Sequence, residues 1–309
     1  MPVSAVQTAI LFAFMAVGFA CARLGILNPE RERGISALLV KVTLPCLIFA
    51  SMVRPFETEL LPRVLSLIGI SFALYAVCIG LAIVASRLMG GKPARRGVYR
   101  YGMIFSNAGF MGFPVLESLF GAQSVFYAAV YNIAFQVLAF SVGMLILGWN
   151  SRRIGRERIL RLLVNPNIIS ALAGLAFFLL RLGLPGPVRE AVSRIGDMTT
   201  PLSMIFIGSL LSRASYGSLL RDPRIWFVSL FRLLAVPLLA YATLKSLLRD
   251  PGFPLHVPVM IAAMPAAANT AILAEECGAD AEAASMLVTL STLISLASIP
   301  VLARLLFRV

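Results

Sequence analysis

The 309-residue chain is 59% hydrophobic, 13% charged and carries a formal net charge of +13, whereas an ordinary soluble domain is about 25% charged. So little polar surface excludes a water-soluble globular enzyme, and basic residues clustered between apolar runs, rather than along one face, exclude a nucleic-acid-binding surface. A bilayer core about 30 Å thick takes roughly 20 apolar residues per helical crossing, and the chain reads as a run of such crossings.

Ten membrane-spanning helices are predicted, over residues 2–23, 34–53, 62–89, 97–119, 122–148, 164–184, 187–212, 223–248, 255–277 and 281–306. The stretch from Pro2 to Ala22 has no Lys or Arg, so it lacks the basic region of a cleaved signal peptide and is read as a retained helix. Arg23, Arg31 and Arg33 follow the first span, and Arg87, Lys92, Arg95, Arg96 and Arg100 the third. Arg152, Arg153, Arg156, Arg158 and Arg161 follow the fifth, and Arg213, Arg221 and Arg224 the seventh. Their loops share one face, which the positive-inside rule makes cytoplasmic, with both termini outside a multi-pass plasma-membrane protein. The basic stretch 150–163 then reads as a solvated cytoplasmic connector, with a lipid-headgroup contact as its alternative. Cys21, Cys46, Cys78 and Cys277 form no CxxC pair and read as small packing residues.

The two halves, 1–149 and 164–309, repeat each other. ARLGIL from Ala22 matches LRLGLP from Leu180, KVTLPCLIFA from Lys41 matches DMTTPLSMIFIG from Asp197, and FGAQSVFYAA from Phe120 matches CGADAEAASM from Cys277, all at an offset of about 156 to 158 residues. Five spans per repeat put the copies in opposite membrane orientations, an architecture of alternating-access carriers. Interruptions in corresponding spans mark the expected binding site. Span four carries Asn107, Gly109, Gly112 and Pro114, with unwinding expected around 108–114; span nine carries Pro265, Asn269 and Thr270. The two broken segments are expected to cross, each following half-helix presenting its partly positive N-terminus to an anion. A proline kink satisfied by neighbours is the plainer reading of either helix alone. Asn132 and Gln136, one turn apart in span five, are candidates to face the same cavity or to pack between helices.

A charge at a helix centre costs roughly 2.5 to 3.5 kcal/mol on insertion scales, so Lys41, Asp197 and Arg232 call for a reason. Lys41 and Asp197 stand one turn before Pro45 and Pro201, at equivalent places in the two halves, and suit proton coupling, substrate-charge compensation or a static ion pair. Arg232 suits charge compensation or a structural partner for a carboxylate or helix C-terminus. His256, the single histidine, reads as interfacial, and no metal site or cofactor is expected. GxSxG, HExxH and nucleotide loops are missing, and RIGDM has no second intramembrane Asp to pair with, so an intramembrane hydrolase is the weaker alternative.

Several motifs are similar to those of the auxin efflux carrier family: NPNIIS at Asn165, SNAGFMGFPV at Ser106, MPAAANTAIL at Met264, LVKVTLPCLIF around Lys41, Asp197 in IGDMTTPLSM, and Arg232 before AVP. The resemblance covers nearly the whole chain. It implies an all-α fold with spans one, two, six and seven as a scaffold, commonly dimerised, and the others as a transport domain. It further implies elevator-like carriage of an organic anion such as malonate. The short connector departs from the long insert of plant auxin exporters and is similar to bacterial members. Proton and sodium are the candidate coupling ions, with a sodium-coupled bile-acid-type symporter as the alternative carrier. The expected partners are a small organic anion, the lipid bilayer and a second copy of the chain, with no nucleic acid.

Overall fold

A computed structural model describes residues 3–55, 57, 59–90, 92–148, 165–213, 222–248 and 252–308; the predicted connector 150–163 lies outside the described residues. Within them all regular structure is helical, in twelve helices. They are α1 (Val3–Arg23), α2 (Pro29–Met52), α3 (Leu60–Met89), α4 (Pro93–Ile104), α5 (Ala108–Phe120) and α6 (Ala122–Leu147) in the first half. The second half holds α7 (Pro166–Leu179), α8 (Gly186–Ser212), α9 (Pro223–Leu247), α10 (Gly252–Ala262), α11 (Thr270–Glu276) and α12 (Ala281–Phe307). Seven of them, α1, α2, α3, α6, α8, α9 and α12, are long and apolar enough to cross a membrane; α5, α7 and α10 are shorter and apolar.

Local chemistry explains where helices begin. Asn28, Asn165, Asp222 and Asp280 each cap a helix by accepting a backbone N–H, and the first three are followed by proline at the first helical position, where its missing donor costs nothing. The Asn28 cap starts α2 five residues before the predicted 34, in a polar first turn that contains Glu30 and Glu32. Gly121 and Gly278, matched in the repeat, both turn left-handed, at φ 79° and 71°, a conformation glycine adopts without Cβ strain.

At three prolines inside spans the helix ahead widens instead of breaking. Residues 39–43, 108–112 and 231–235 form π-type turns, each two residues before a proline, Pro45, Pro114 or Pro237. A proline nitrogen has no hydrogen to donate to the preceding turn, and the wider register accommodates its ring.

The packing partners are exchanged when the two halves are exchanged. α1 lies along α8, and α7 lies along the end of α2. In the first pair a Cβ at Gly18 would sit 2.0 Å from the Ile205 carbonyl oxygen, and one at Gly208 1.9 Å from that of Met15; in the second a Cβ at Gly174 would sit 2.7 Å from the Met52 Cβ. Gly18 and Gly174, like Met52 and Gly208, are 156 residues apart. Likewise α3 packs on α6 and α9 on α12, α5 on α6 and α11 on α12, α4 on α12 and α10 on α6. The core between them is rich in fully buried aromatics, Tyr99, Tyr101, Phe105, Phe113, Phe126 and Tyr127 among them.

Candidate functional site

Two helices are interrupted side by side. Between α4 and α5 the chain is extended at Phe105 (φ −102°, ψ 118°), and between α10 and α11 residues 263–269 leave the helix. The two interruptions pair antiparallel through Ser106 and Ala266. Asn107 N–H donates to the Pro265 carbonyl at 2.7 Å, and Ala267 N–H to that of Phe105 at 3.1 Å. Ala266 N–H donates to Ser291 Oγ of α12 at 3.1 Å. The break in span four is thus at 105–107, three residues ahead of the expected 108–114, because the segment before Pro114 keeps a helical form by widening, whereas Phe105 to Asn107 find partners across the crossing.

Helix ends this deep leave carbonyls that water cannot reach, and each needs a donor. Arg232 of α9, 2% exposed, supplies them to both breaks. Its Nη1 donates to the Met103 and Ile104 carbonyls at 3.2 and 3.3 Å, Nη2 to that of Ile261 at 3.3 Å, and Nε to that of Met264 at 3.3 Å. The guanidinium charge also faces the negative ends of α4 and α10, a favourable arrangement. Arg232 is therefore a bridge between the half-helices α4 and α10; it does not line the cavity at the starts of α5 and α11.

That cavity holds about 100 Å³ and is lined by Ser106, Asn107, Gly109, Gln136, Asn165, Asn167 and Asn269, with Val40, Leu44, Phe110, Phe135 and Phe140 as apolar walls. Of the residues singled out from the sequence, the structure brings Asn107, Gly109, Gln136 and Asn269 together here. Gly112, Pro114, Pro265 and Thr270 do not line it: Pro265 accepts from Asn107, Thr270 Oγ1 donates to the Ala267 carbonyl at 2.6 Å, and Gly112 and Pro114 are buried behind. Asn107 Oδ1 accepts from Phe110 N–H at 3.3 Å, capping α5. Asn132 is buried, off the lining, its Oδ1 without a hydrogen-bond partner among the described residues.

The sequence alone gives Asn165 and Asn167 no role in the site. Asn165 caps α7 through Oδ1 and donates Nδ2 to Gln136 Oε1 at 3.3 Å. Asn167 is 4% exposed and its Oδ1 accepts no hydrogen bond among the described residues, so a polar atom is held ready at the wall. The Asn-Pro-Asn triplet was the available signal, but a capping triplet alone does not reveal which cavity its side chains reach.

Among the described residues no charged side chain lines the cavity. Lys41 is exposed in the widened turn of α2, next to lining residue Val40, and Asp197 is exposed on α8; no ion pair joins them among the described residues. Three residues past Asp197, Thr200 Oγ1 donates to Glu117 Oε2 of α5 at 2.9 Å, a link between α5 and α8 that hydropathy does not reveal. His256 sits among aromatics, its ring 5.2 Å from Phe120 and 4.6 Å from Phe307. No group of acidic, His or Cys residues among the described residues could hold a metal.

At the basic ends of the helices Arg95 joins two caps, Nη1 to Asp222 at 3.2 Å and Nε to Asp280 at 2.9 Å. Burial pushes the Asp280 carboxyl up, but the Ala283 N–H and then the Arg95 guanidinium outweigh it and hold the group below its ordinary value.

A family model described as "Membrane transport protein" matches residues 3–157 and 150–303. An "Uncharacterized transporter" of Methanothermobacter thermautotrophicus is 27% identical over 94% of both chains. Another, of Methanocaldococcus jannaschii, is 22% identical over 85% of this chain and 86% of its own. A "Putative malonate transporter" of Rhizobium meliloti is 24% identical over 93% of this chain and 91% of its own.

Proposed function

The chain belongs to the membrane transport protein family, that of the auxin efflux carriers its motifs resemble, and from this we propose that it carries a small organic anion, a malonate-like dicarboxylate, across the plasma membrane. Membership of a transporter family removes the intramembrane hydrolase alternative. One observation carries the proposal: two interrupted helices meet backbone to backbone beside a cavity walled by four asparagines and a glutamine. Amide side chains supply directional donors, and α5, which starts at the cavity, adds the partly positive end of its dipole. The anion's carboxylates would take their bonds from Asn107, Asn269 and Gln136, with Asn165 and Asn167 opposite. Lys41, beside Val40, is the nearest cation in sequence for the remaining charge.

The exchange of packing partners between halves, and the matching of Gly18 with Gly174, support a ten-span inverted repeat. In an elevator-type cycle, α1, α2, α7 and α8 would stay fixed while the crossed segments move with the substrate. The malonate assignment draws on the name of the Rhizobium relative.

The test is uptake of labelled malonate and a panel of monocarboxylates into proteoliposomes under imposed proton, sodium and voltage gradients. Saturable flux lost in Asn107→Ala plus Asn269→Ala is the expected result, and the gradient that drives it identifies the coupling ion. Undiminished flux in the folded double variant would sink the site while keeping transport; no flux of any acid would sink the substrate class.

A further inference from the structure

A second cavity, of about 410 Å³, shares no residue with the first. It lies where α3 ends, α4 begins and α6 ends, and three arginines, Arg87, Arg96 and Arg100, line it with Ile83, Pro93 and Ile146. Among the described residues no acidic side chain lines it. Arg87, Arg96 and Arg100 thus form one like-charged cluster facing a single cavity, which an entering anion would neutralise.

The surrounding contacts fix these groups in place. Arg100 Nε donates to Ser86 Oγ at 2.6 Å, while Arg96 Nε is buried with no acceptor among the described residues. A Cβ at Gly97 would lie 2.8 Å from the Ile146 carbonyl oxygen, so α4 and α6 pack closely at the cavity wall. The acids nearby are already engaged: Asp222 and Asp280 both serve Arg95.

We propose that this cavity binds the phosphate of an anionic phospholipid headgroup, with Arg87, Arg96 and Arg100 as its donors. Guanidinium groups match phosphate oxygens in geometry and charge, and free phosphate has the same chemistry. The walls favour the lipid. Ile83 and Ile146 make the cavity partly apolar, and Val84, Leu88 and Leu145, exposed by 57%, 85% and 57% beside it, give acyl chains a surface to lie on.

The assay is thermal melting of the purified protein in detergent micelles with added phosphatidylglycerol, phosphatidylcholine or sodium phosphate. Phosphatidylglycerol should raise the melting temperature by a few degrees over phosphatidylcholine, less at high salt. Arg96→Gln plus Arg100→Gln should abolish that difference, with binding weakened roughly tenfold or more, while melting in phosphatidylcholine matches the wild type. Should the double variant elute aggregated, Arg87→Gln, whose side chain is exposed, must diminish the rise. A wild type that does not distinguish the two lipids, or a rise unchanged in these variants, overturns the site. Sodium phosphate reproducing the whole effect overturns the lipid as the occupant.

Discussion

Replacing Arg232 with methionine tests the account of the crossing directly. The side chain keeps much of its volume but withdraws the donors from the Met103, Ile104, Ile261 and Met264 carbonyls. Ile261 retains a bond from Met264 N–H at 3.2 Å, which leaves three carbonyls newly unpaired. At about 1 to 1.5 kcal/mol for each buried carbonyl, the loss is roughly 3 to 4.5 kcal/mol, less whatever is recovered by no longer burying a guanidinium. A net destabilisation of about 3 kcal/mol is expected in reversible unfolding in mixed micelles. Arg232→Lys should recover part of it, since one ammonium reaches fewer of the carbonyls. Hydrogen exchange should quicken at Asn107 and Ala267, whose amides close the crossing. Stability of Arg232→Met within about 1 kcal/mol of wild type, with unchanged exchange there, would refute the bridging role.

Gly18→Ala and Gly208→Ala should each cost about 1 to 3 kcal/mol, because the new methyl meets backbone across the α1–α8 contact; Gly183→Ala, with nothing within 4 Å, should be near neutral in the same melting assay. Removing Asn165 and Gln136 singly and together should give a coupling of about 0.5 to 1.5 kcal/mol in a double-mutant cycle, and additive effects would deny their hydrogen bond. The Asp280 carboxyl is held below its ordinary value of 3.8, so the stability it adds is full above about pH 5 and lost as pH falls through its folded value. The wild type should therefore exceed Asp280→Asn at neutral pH and converge on it in acid; a gap that stays constant down to pH 3 or so would refute the pairing.

The seven long apolar helices, and which spans are interrupted, are legible in the sequence, because lipid imposes a length and an apolarity on every crossing helix, and Pro, Gly and Asn disturb a helix through local chemistry. Asn107 and Asn269 could be singled out for that reason, and the matched glycines at 121 and 278 show the same turn in both halves. The tertiary structure alone decided which groups complete one another. Phe105 to Asn107, and not the stretch before Pro114, leave the helix, since only they have extended partners at 265–267. Arg232 reads in sequence as a charge without an address, but its donors reach carbonyls roughly 30 and 130 residues away in the chain. Asn165 meets Gln136 across the connector, and Lys41 and Asp197, equivalent in the repeat, do not pair. Periodicity and composition act over a helical turn or a membrane thickness, whereas hydrogen-bond closure in a medium without water depends on which distant helix lies alongside, and packing fixes that only once the chain has folded.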